Sequence, residues 1–351
     1  MKQSNIRSPR WCQPQFVEPP GPVAVVIDDC FGEDVAFFLR DGKQLFELEV
    51  LETQSSQSKG IRRFCCRAPI GMRDGLKDLV VRSETAEQIS LRSVVLRRGP
   101  IHSVNMVFTS DWHLLLVGQD GQLEDQSERC FNLVQELNAM QPDLVIHTGD
   151  LITRYQGSGL PPLPEADIRG QFTRAREIFD QLKIPMFLLP GNHDLGFEVC
   201  RRHWWNLVGK PWRGATDDVS VLLGPVHFLM VDGFMHYDPD TYHMIGRSMT
   251  GGQLAWLESS LAETPASRRV IAIHYDYSDQ LMPRLRELSI DAIFYGHGKA
   301  KDQAIFDSAG TLNGHLPGDM AYRQATISAE HFDMGPPVSF EALGTTTEKG
   351  T

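Results

Sequence analysis

The spacing of hydrophobic and polar positions changes at about residue 100. Between residues 22 and 98, short apolar runs alternate with polar and turn-forming residues, and no helical period is present. Short β-like runs at this spacing are typical of a small all-β sandwich, which we place at residues 21–100. Residues 1–20 are rich in proline and polar side chains, so we expect a flexible arm there.

After Arg98-Gly99-Pro100, buried-strand patterns alternate with helical periodicity. The predicted strands cover residues 104–109, 144–147, 186–189, 226–231, 270–273 and 292–295. Apolar residues at helical spacing predict helices over residues 125–140, 172–182, 250–261 and 281–288, the third opening with a capping box at Thr250 and Gln253. This alternation indicates an α/β domain with a largely buried sheet over residues 101–335, followed by a flexible tail at 336–351.

Charge is distributed unevenly along the 351 residues, whose net charge is −11. The first 103 residues carry 15 basic and 13 acidic side chains, whereas the remainder carries 19 and 32. An acidic α/β part disfavours general binding of nucleic acid or anionic membranes. No apolar segment has the pattern of a signal peptide or the length of a membrane span. The six cysteines form no C-x-x-C pair, so we expect reduced thiols in a cytoplasmic protein.

Polar residues follow five of the predicted strands at the point where each strand ends. They lie in the segments Ser110-Asp111-Trp112-His113, Thr148-Gly149-Asp150, Pro190-Gly191-Asn192-His193-Asp194, His274 and Tyr295-Gly296-His297. Loops beyond the carboxyl ends of strands converge on the ligand site of open α/β sheets. Aspartate, asparagine and histidine together suit manganese, iron, zinc or cobalt better than calcium.

The spacing within these segments has a physical basis. Asp111 and His113 are alternate residues of an extended segment, so both side chains can face one ion. Asp150 follows a glycine, which allows the sharp turn that a carboxylate bridging two ions requires, and Gly191 is expected to do the same for Asn192. Asp-x-His and Gly-Asp are common by chance and Gly-Asn-His-Asp is more specific, but five such patterns in order, each closing its own strand, indicate a site.

This ordered set of residues resembles the calcineurin-like metallophosphoesterase superfamily, which includes purple acid phosphatases, protein Ser/Thr phosphatases, phosphodiesterases and repair nucleases. The resemblance covers about residues 104–300. It implies a layered αββα-type catalytic domain. The preceding all-β sandwich is similar in pattern to the accessory domain of purple-acid-phosphatase-like members.

The resemblance also implies roles for the site residues. Two divalent ions would be bound, the first by Asp111 and His113, the second by Asn192, His274 and His297, with Asp150 bridging both. His193 would assist the leaving oxygen, and Asp194 would orient His193.

The sequence departs from the family pattern at Lys299, where many members have a further histidine that binds the first metal. A protonated lysine is not a metal ligand, so the first site is expected to be weaker. His315 is a candidate substitute. Candidate substrate contacts are Lys299, Arg201 and His236.

These observations favour a hydrolase that cleaves a phosphoric mono- or diester through a hydroxide shared by two metal ions. A small-molecule or lipid-derived phosphoester is the preferred substrate. One alternative is a catalytically weakened member that acts as a scaffold or binding module. Another is a nuclease, against which the acidic charge argues.

Overall fold

The computed structural model describes residues 5–56, 60–117, 122–154, 162–209, 218–233, 249–275, 289–297, 305–306, 312–315 and 321–339. The chain divides into two compact units. The first consists of residues 1–100 with 185–187 and 208–215, and the second of the remaining residues.

Residues 6–96 of the first unit form nine strands and one short 3-10 helix at Asp29–Phe31. The strands are β1 (Ile6–Ser8), β2 (Gln15–Val17), β3 (Pro22–Asp28), β4 (Val35–Asp41), β5 (Gln44–Glu47), β6 (Glu49–Ser56), β7 (Ile61–Arg67), β8 (Gly75–Ser83) and β9 (Glu87–Leu96). They build a four-stranded sheet in the order β1-β3-β7-β6 and a five-stranded sheet in the order β2-β9-β8-β4-β5. The two sheets share one hydrophobic core, in which the rings of Phe37 and Phe64 lie 4.6 Å apart.

Residues 5–20, the described part of the predicted flexible arm, contain two paired strands. Strand β1 pairs with β3, and β2 pairs in parallel with β9. Ile6, Cys12 and Val17 are buried. Strands of three residues are too short to produce a period in the sequence, and their backbone hydrogen bonds depend on partners far along the chain. The arm is therefore part of the first unit.

The elements after residue 100 alternate between strands and helices. They are β10 (Ser103–Thr109), β11 (Leu115–Val117), β12 (Leu123–Asp125), α1 (Ser127–Met140), β13 (Leu144–His147), α2 (Glu165–Phe179), β14 (Met186–Leu188), α3 (Asn192–Leu195), α4 (Glu198–Val208), β15 (Val219–Leu223), β16 (Val226–Val231), α5 (Gly251–Glu263), β17 (Arg268–Ile273), β18 (Ala292–Tyr295), β19 (Ile305–Phe306), β20 (Leu312–His315), β21 (Ala321–Ser328), β22 (Phe332–Met334) and β23 (Val338–Ser339). All six predicted α/β strands are present, with bounds within two residues of those expected.

These strands form two six-stranded sheets. One has the order β14-β13-β10-β21-β22, with β23 also paired to β21, and the other has the order β15-β16-β17-β18-β20-β19. Strands β10 and β13 run parallel, as do β16, β17, β18 and β20. Every residue of β13 and β16 is buried, as expected for strands covered on both faces.

The helices follow the predicted periodicity with shifted bounds: α2 begins at Glu165 rather than residue 172 and ends at Phe179 rather than residue 182. Helix α1 begins at Ser127 rather than residue 125, because residues 123–125 pair with β11 as a hairpin strand. Helix α5 has the predicted capping box, in which the Thr250 hydroxyl accepts the Gln253 N–H at 3.1 Å. The predicted helix at 281–288 lies outside the described residues.

The predicted tail differs at its start, because β23 pairs with β21. No disulfide links the six cysteines, all of which lie in the described ranges. None of the helices described above is long and apolar enough to cross a membrane.

Candidate metal centre

Five strand ends carry the residues that the sequence predicts as ligands. Beyond β10 lie Asp111 and His113, beyond β13 Asp150, beyond β14 Asn192, beyond β17 His274 and beyond β18 His297. Within each sheet the relevant neighbours run parallel, β10 beside β13 and β17 beside β18. Their carboxyl ends therefore lie at the same edge, which brings these loops together.

Asp150 lies where two groups of potential ligand atoms meet. One group contains His113, Asp150 and His193, and the other contains Asp150, His274 and His297. Within each group, one ligand atom from every residue lies within 4.8 Å of the others. Asp150 is only 2% exposed, so its carboxylate is directed into this cluster and away from solvent.

The other predicted ligands, Asp111 and Asn192, belong to the same cluster. Nε2 of His113 lies 3.9 Å from Oδ1 of Asp111 and 3.9 Å from Oδ2 of Asp150. Nε2 of His274 lies 3.1 Å from Oδ1 of Asn192 and 3.3 Å from Oδ2 of Asp150. The structure therefore brings all six predicted ligands together.

Four of these ligands have left-handed backbones, so the extended segment predicted for Asp111 and His113 is not observed. The φ angles are 54° at Asp111, 40° at His113, 58° at Asp150 and 59° at His297. Each such conformation costs about 1–3 kcal/mol for a residue other than glycine and persists where surrounding contacts impose it. At two of these residues backbone hydrogen bonds support it: the Asp111 N–H donates to the Gly149 carbonyl at 2.8 Å, and the His113 N–H donates to the Asp150 carbonyl at 3.1 Å.

Two glycines allow the Asp150 and Asn192 loops to approach closely. Gly149 has a φ of 113°, and a Cβ atom there would lie 2.3 Å from the backbone nitrogen of Gly191. A Cβ atom at Gly191 would lie 2.2 Å from Oδ1 of Asp150. Gly191 itself is extended, with φ −104°, so the predicted sharp turn is absent. The glycine is required there for space and not for backbone freedom.

Asp194 stabilises the Asp150 loop. Its fully buried carboxylate accepts backbone N–H groups from Asp150 at 2.8 Å, Leu151 at 3.0 Å and Gly191 at 2.8 Å. The expected contact with the ring of His193 is replaced by these bonds, because the carboxylate faces the backbone of the two approaching loops. Asp194 thus joins the segment that carries Asp150 to the segment that begins α3.

His193 lies beside the cluster, with its ring 4.7 Å from that of His113. Its backbone N–H donates to Oδ1 of Asp150 at 2.8 Å. Its Nδ1 atom accepts the backbone N–H of Arg154 at 3.2 Å, so in the neutral ring the proton is on Nε2. His193 therefore has a donor to offer to a reacting group.

The tautomer of His113 is set by two oxygen partners. Nδ1 lies 3.2 Å from the carbonyl of Ile152 and 3.3 Å from Oγ1 of Thr153. A carbonyl can only accept, and the Thr153 hydroxyl donates to the carbonyl of Leu115, so Nδ1 carries the proton. The Nε2 lone pair is then available to a cation.

His274 provides a test of whether a cation fits. Nδ1 lies 3.0 Å from the Thr148 carbonyl and must donate to it, which leaves the Nε2 lone pair facing the oxygens of Asn192 and Asp150. In the neutral ring this arrangement is repulsive, and either a proton on Nε2 or a metal ion between these atoms removes the repulsion. Burial lowers the pKa of His274, but the carboxylates of Asp150 and Asp111 outweigh it and raise the pKa to about 9. The donor set therefore suits a metal ion.

Burial also affects the pKa values of the carboxyl groups in the cluster. Burial raises the pKa of Asp111, and the charge of Asp150 adds to the effect. Burial also opposes ionisation of Asp150, but the imidazoles of His274 and His193 outweigh it and lower the pKa of Asp150 well below its usual value. Burial and the charge of Asp150 raise the pKa of Asp194 to about 8. A cation would relieve this repulsion in a medium of low dielectric constant.

Of the three predicted substrate contacts, Arg201 lies among the described residues. Arg201 is 3% exposed and donates to the carbonyl of Leu195 at 3.1 Å, while its guanidinium lies 6.0 Å from the ring centre of Trp205. This buried position corrects the prediction of an accessible contact, because the helical spacing that places Arg201 on α4 also turns it inward. Lys299 and His236 lie outside the described residues, as does the side chain of His315.

Three residues near the cluster were missed by the sequence analysis. They are Thr153, Arg154 and Gln171, which contact the His113, His193 and Asp150 segment through backbone and side-chain hydrogen bonds. The sequence could have indicated Gln171, because it is a polar residue within the apolar face of α2, between Ile168 and Phe172. No sequence pattern distinguishes Thr153 and Arg154, since they follow Asp150 in an irregular segment.

Comparisons with known proteins give one curated relative and one solved structure of note. Over 94 residues the chain is 34% identical to a component of the nuclease SbcCD from Staphylococcus epidermidis, which is 26% of this chain and 23% of the relative. The chain thus spans about a quarter of that relative's length. A structure described as "Termus thermophilus Sulfate thiohydrolase SoxB in complex with glycerol" is 13% identical, with a TM-score of 0.47 over 71% of this chain and 58% of that one.

A family model described as calcineurin-like phosphoesterase matches residues 104–298, which is more than half of the chain. The matched segment contains every predicted ligand and the two glycines between the Asp150 and Asn192 loops. The chain therefore belongs to the calcineurin-like phosphoesterase family.

Proposed function

We propose that this protein hydrolyses phosphoric ester bonds with the help of two divalent metal ions. The observation that carries the proposal is the position of Asp150 in both groups of potential ligand atoms. When bound, such ions polarise phosphoryl oxygens and lower the pKa of water towards neutrality. Manganese, iron, zinc and cobalt all suit the nitrogen and oxygen donors present.

In this proposal the cluster is divided between two ions. Asp111, His113 and Asp150 hold the first, for which the Nε2 lone pair of His113 is available. The second is held by Asp150 together with three further ligands, Asn192, His274 and His297. His193 offers its Nε2–H as a hydrogen bond to a phosphoryl or leaving oxygen, because its Nδ1 accepts the Arg154 N–H and burial lowers its pKa to about 3, which keeps the ring neutral. Asp194 acts by holding the backbone of Asp150.

Lys299 affects the relative metal affinity of the two proposed sites. With lysine at the position where many family members have a histidine, the first site has three protein ligands and the second has four. We therefore expect the first ion to bind more weakly than the second, and Lys299→His to strengthen it.

The substrate we favour is a small-molecule or lipid-derived mono- or diester. The part of the chain after residue 103 carries 19 basic and 32 acidic side chains, which disfavours tracking along a phosphate backbone. A nuclease is the second candidate, supported by the 34% identity to a nuclease component over 94 residues. A local acidic balance does not prevent a compact site from cleaving one exposed phosphodiester.

A scaffold without catalysis is the remaining alternative. It is disfavoured because six potential ligands converge. A member that had lost activity would be free to lose them. We also propose the layered αββα arrangement of the family for this domain. It is supported by the stacked rings of Phe108 in β10 and Phe294 in β18, whose centroids lie 3.7 Å apart and join the two sheets.

The test is hydrolysis of four substrates with and without Mn²⁺: an aryl phosphomonoester, an aryl phosphodiester, a glycerophosphodiester and a single-stranded oligonucleotide. We expect Mn²⁺-dependent turnover of at least one small phosphoester that Asp150→Asn abolishes. Cleavage of the oligonucleotide at a higher kcat/KM than any small ester would favour the nuclease. Failure of all four substrates with Mn²⁺, Fe²⁺, Zn²⁺ and Co²⁺ would support the scaffold.

A further inference from the structure

Gln171 in α2 makes a two-sided contact with one residue of the Asp150 loop. Its Oε1 accepts the backbone N–H of Thr153 at 2.8 Å, and its Nε2 donates to the backbone carbonyl of Thr153 at 2.9 Å. Gln171 is 4% exposed and Thr153 is 5% exposed, so both bonds are shielded from water. A single side chain thus replaces the pairing that a neighbouring strand would give this residue.

The segment 150–154 supplies contacts to two imidazoles of the cluster. The carbonyl of Ile152 and the hydroxyl of Thr153 both face Nδ1 of His113, at 3.2 Å and 3.3 Å. The N–H of Arg154 donates to Nδ1 of His193 at 3.2 Å. These bonds determine which nitrogen of each ring is directed towards the cluster, and partners of this kind raise metal affinity by fixing the ligand.

The two ends of the segment are held by different side chains. Asp194 binds the N–H groups of Asp150 and Leu151. Gln171 binds Thr153, three residues after Asp150. The bridging carboxylate therefore has its own support, whereas the atoms that orient His113 and His193 depend on the end held by Gln171.

From this geometry we infer that Gln171 is a positioning residue for the first metal site, acting through Thr153 on His113. The inference rests on the proposed function, because it presumes that His113 binds a cation. It accounts for a buried glutamine within the apolar face of α2, where packing alone would favour a hydrophobic residue. The prediction is selective: loss of Gln171 weakens the site that contains His113 and spares the site that contains His274 and His297.

The experiment measures Mn²⁺ binding by titration calorimetry to the full chain. His113→Ala and His297→Ala assign the two binding steps of the wild type. Gln171→Met removes both bonds to Thr153 at similar volume, and Gln171→Glu retains an acceptor for the Thr153 N–H. We expect Gln171→Met to weaken the His113 step about 10–100-fold, with Gln171→Glu in between and the other step within about threefold.

Gln253 in α5 supplies the matched control. It is 3% exposed and also contacts two backbone groups, accepting the Thr250 N–H at 3.1 Å and donating to the Asp232 carbonyl at 2.6 Å. Gln253→Met should lower the melting temperature as Gln171→Met does, yet leave both Mn²⁺ steps unchanged. This comparison separates positioning of the ligand from general loss of stability.

Three outcomes count against the inference. Wild-type affinity at both steps in Gln171→Met and Gln171→Glu would overturn it while leaving the proposed function intact. Equal weakening of the His113 step by Gln253→Met would reduce Gln171 to a structural role. A wild-type chain that binds no Mn²⁺ would overturn the proposed function, and the inference with it. If Gln171→Met does not fold, Gln171→Glu alone decides, because it conserves shape and one hydrogen bond.

Discussion

Gly149 and Gly191 lie against each other at the centre of the candidate site, so close that a Cβ atom on Gly149 would be 2.3 Å from the backbone nitrogen of Gly191. This approach brings the loop of Asp150 to the loop of Asn192. It explains why Asp194, two residues after Asn192, can accept N–H groups from both loops with one carboxylate. The candidate metal site thus depends on a backbone contact that no larger residue permits.

Gly191→Ala should disrupt the cluster. The new methyl group would lie 2.2 Å from Oδ1 and 2.4 Å from the nitrogen of Asp150, so one loop must move. Displacement of a catalytic group by about 1 Å costs on the order of 10²-fold in rate, and we expect at least that loss in kcat/KM together with weaker Mn²⁺ binding. Gly251→Ala, where a Cβ atom has no neighbour within 4 Å, is the control. Unchanged Mn²⁺ binding in Gly191→Ala would mean that the loops separate without cost.

Asp194→Asn should destabilise the fold and the metal site together. An asparagine keeps one acceptor but directs an amide N–H₂ at a backbone N–H, and an unsatisfied buried group of this kind costs about 1–3 kcal/mol. Urea unfolding and Mn²⁺ titration measure the two effects. Asp291→Asn is a suitable control, because Asp291 also accepts a backbone N–H, from Arg269 at 2.8 Å, but at the amino end of β18. If Asp194→Asn bound Mn²⁺ as tightly as the control Asp291→Asn, the role of Asp194 in supporting the metal site would be contradicted.

Asp150→Asn should weaken the binding of both metal ions. Its carboxylate belongs to both groups of ligand atoms, and the substitution removes the charge that a bridging ligand contributes. Elemental analysis after dialysis against a defined Mn²⁺ concentration gives the stoichiometry. Two ions retained at wild-type affinity would show that Asp150 does not bridge.

His193→Ala should slow turnover with little change in metal content. Loss of one preorganised hydrogen-bond donor to a reacting oxygen costs about 10²–10³-fold in kcat, and the Nε2–H of His193 is lost with the ring. The decrease should be smaller for an ester with a good leaving group, whose leaving oxygen needs less stabilisation. His331→Ala, at an exposed histidine after β21, serves as the control. An equal loss for good and poor leaving groups would show that His193 does not contact the leaving oxygen, and a loss of bound metal would make it a ligand.

His227, which lies outside the candidate metal site, should make the free energy of unfolding depend on pH. This fully buried histidine in β16 lies 2.8 Å from the Ser220 hydroxyl, and burial, aided by Arg269, lowers its pKa to about 4. Because the unfolded chain takes up a proton near pH 6.5 and the folded chain does not, stability is complete above that pH. It falls as the pH drops towards 4, by about 2 kcal/mol at pH 5.

His227→Gln should abolish this part of the pH dependence. The measurement is urea unfolding of wild type and variant at pH 7.5 and pH 5, where the difference between the two proteins isolates His227 from other titrating groups. His102→Gln, at an exposed position, should behave as wild type. Equal loss of stability in His227→Gln and wild type between the two pH values would contradict the buried neutral state.

The sequence predicted the strands of the α/β part because their apolar runs are continuous and local. It also predicted that six candidate ligands lie close together, since each lies just beyond the end of such a strand and the carboxyl ends of parallel strands meet at a common edge. The capping box of α5 was predicted for the same reason, because Thr250 and Gln253 interact within one helical turn. Local pattern thus determined the elements and the identity of the candidate ligands.

Only the tertiary structure decided how those residues are supported. The pairing of residues 6–8 and 15–17 depends on strands that lie far along the chain, so short apolar runs gave no sign of it. The carboxylate of Asp194 turns to the backbone of Asp150, and Gln171 reaches Thr153 from another helix, because hydrogen bonds between distant segments require the chain to be folded first. Hydrophobic periodicity indicates which face of a helix or strand is buried. It does not indicate which group a buried polar side chain will contact.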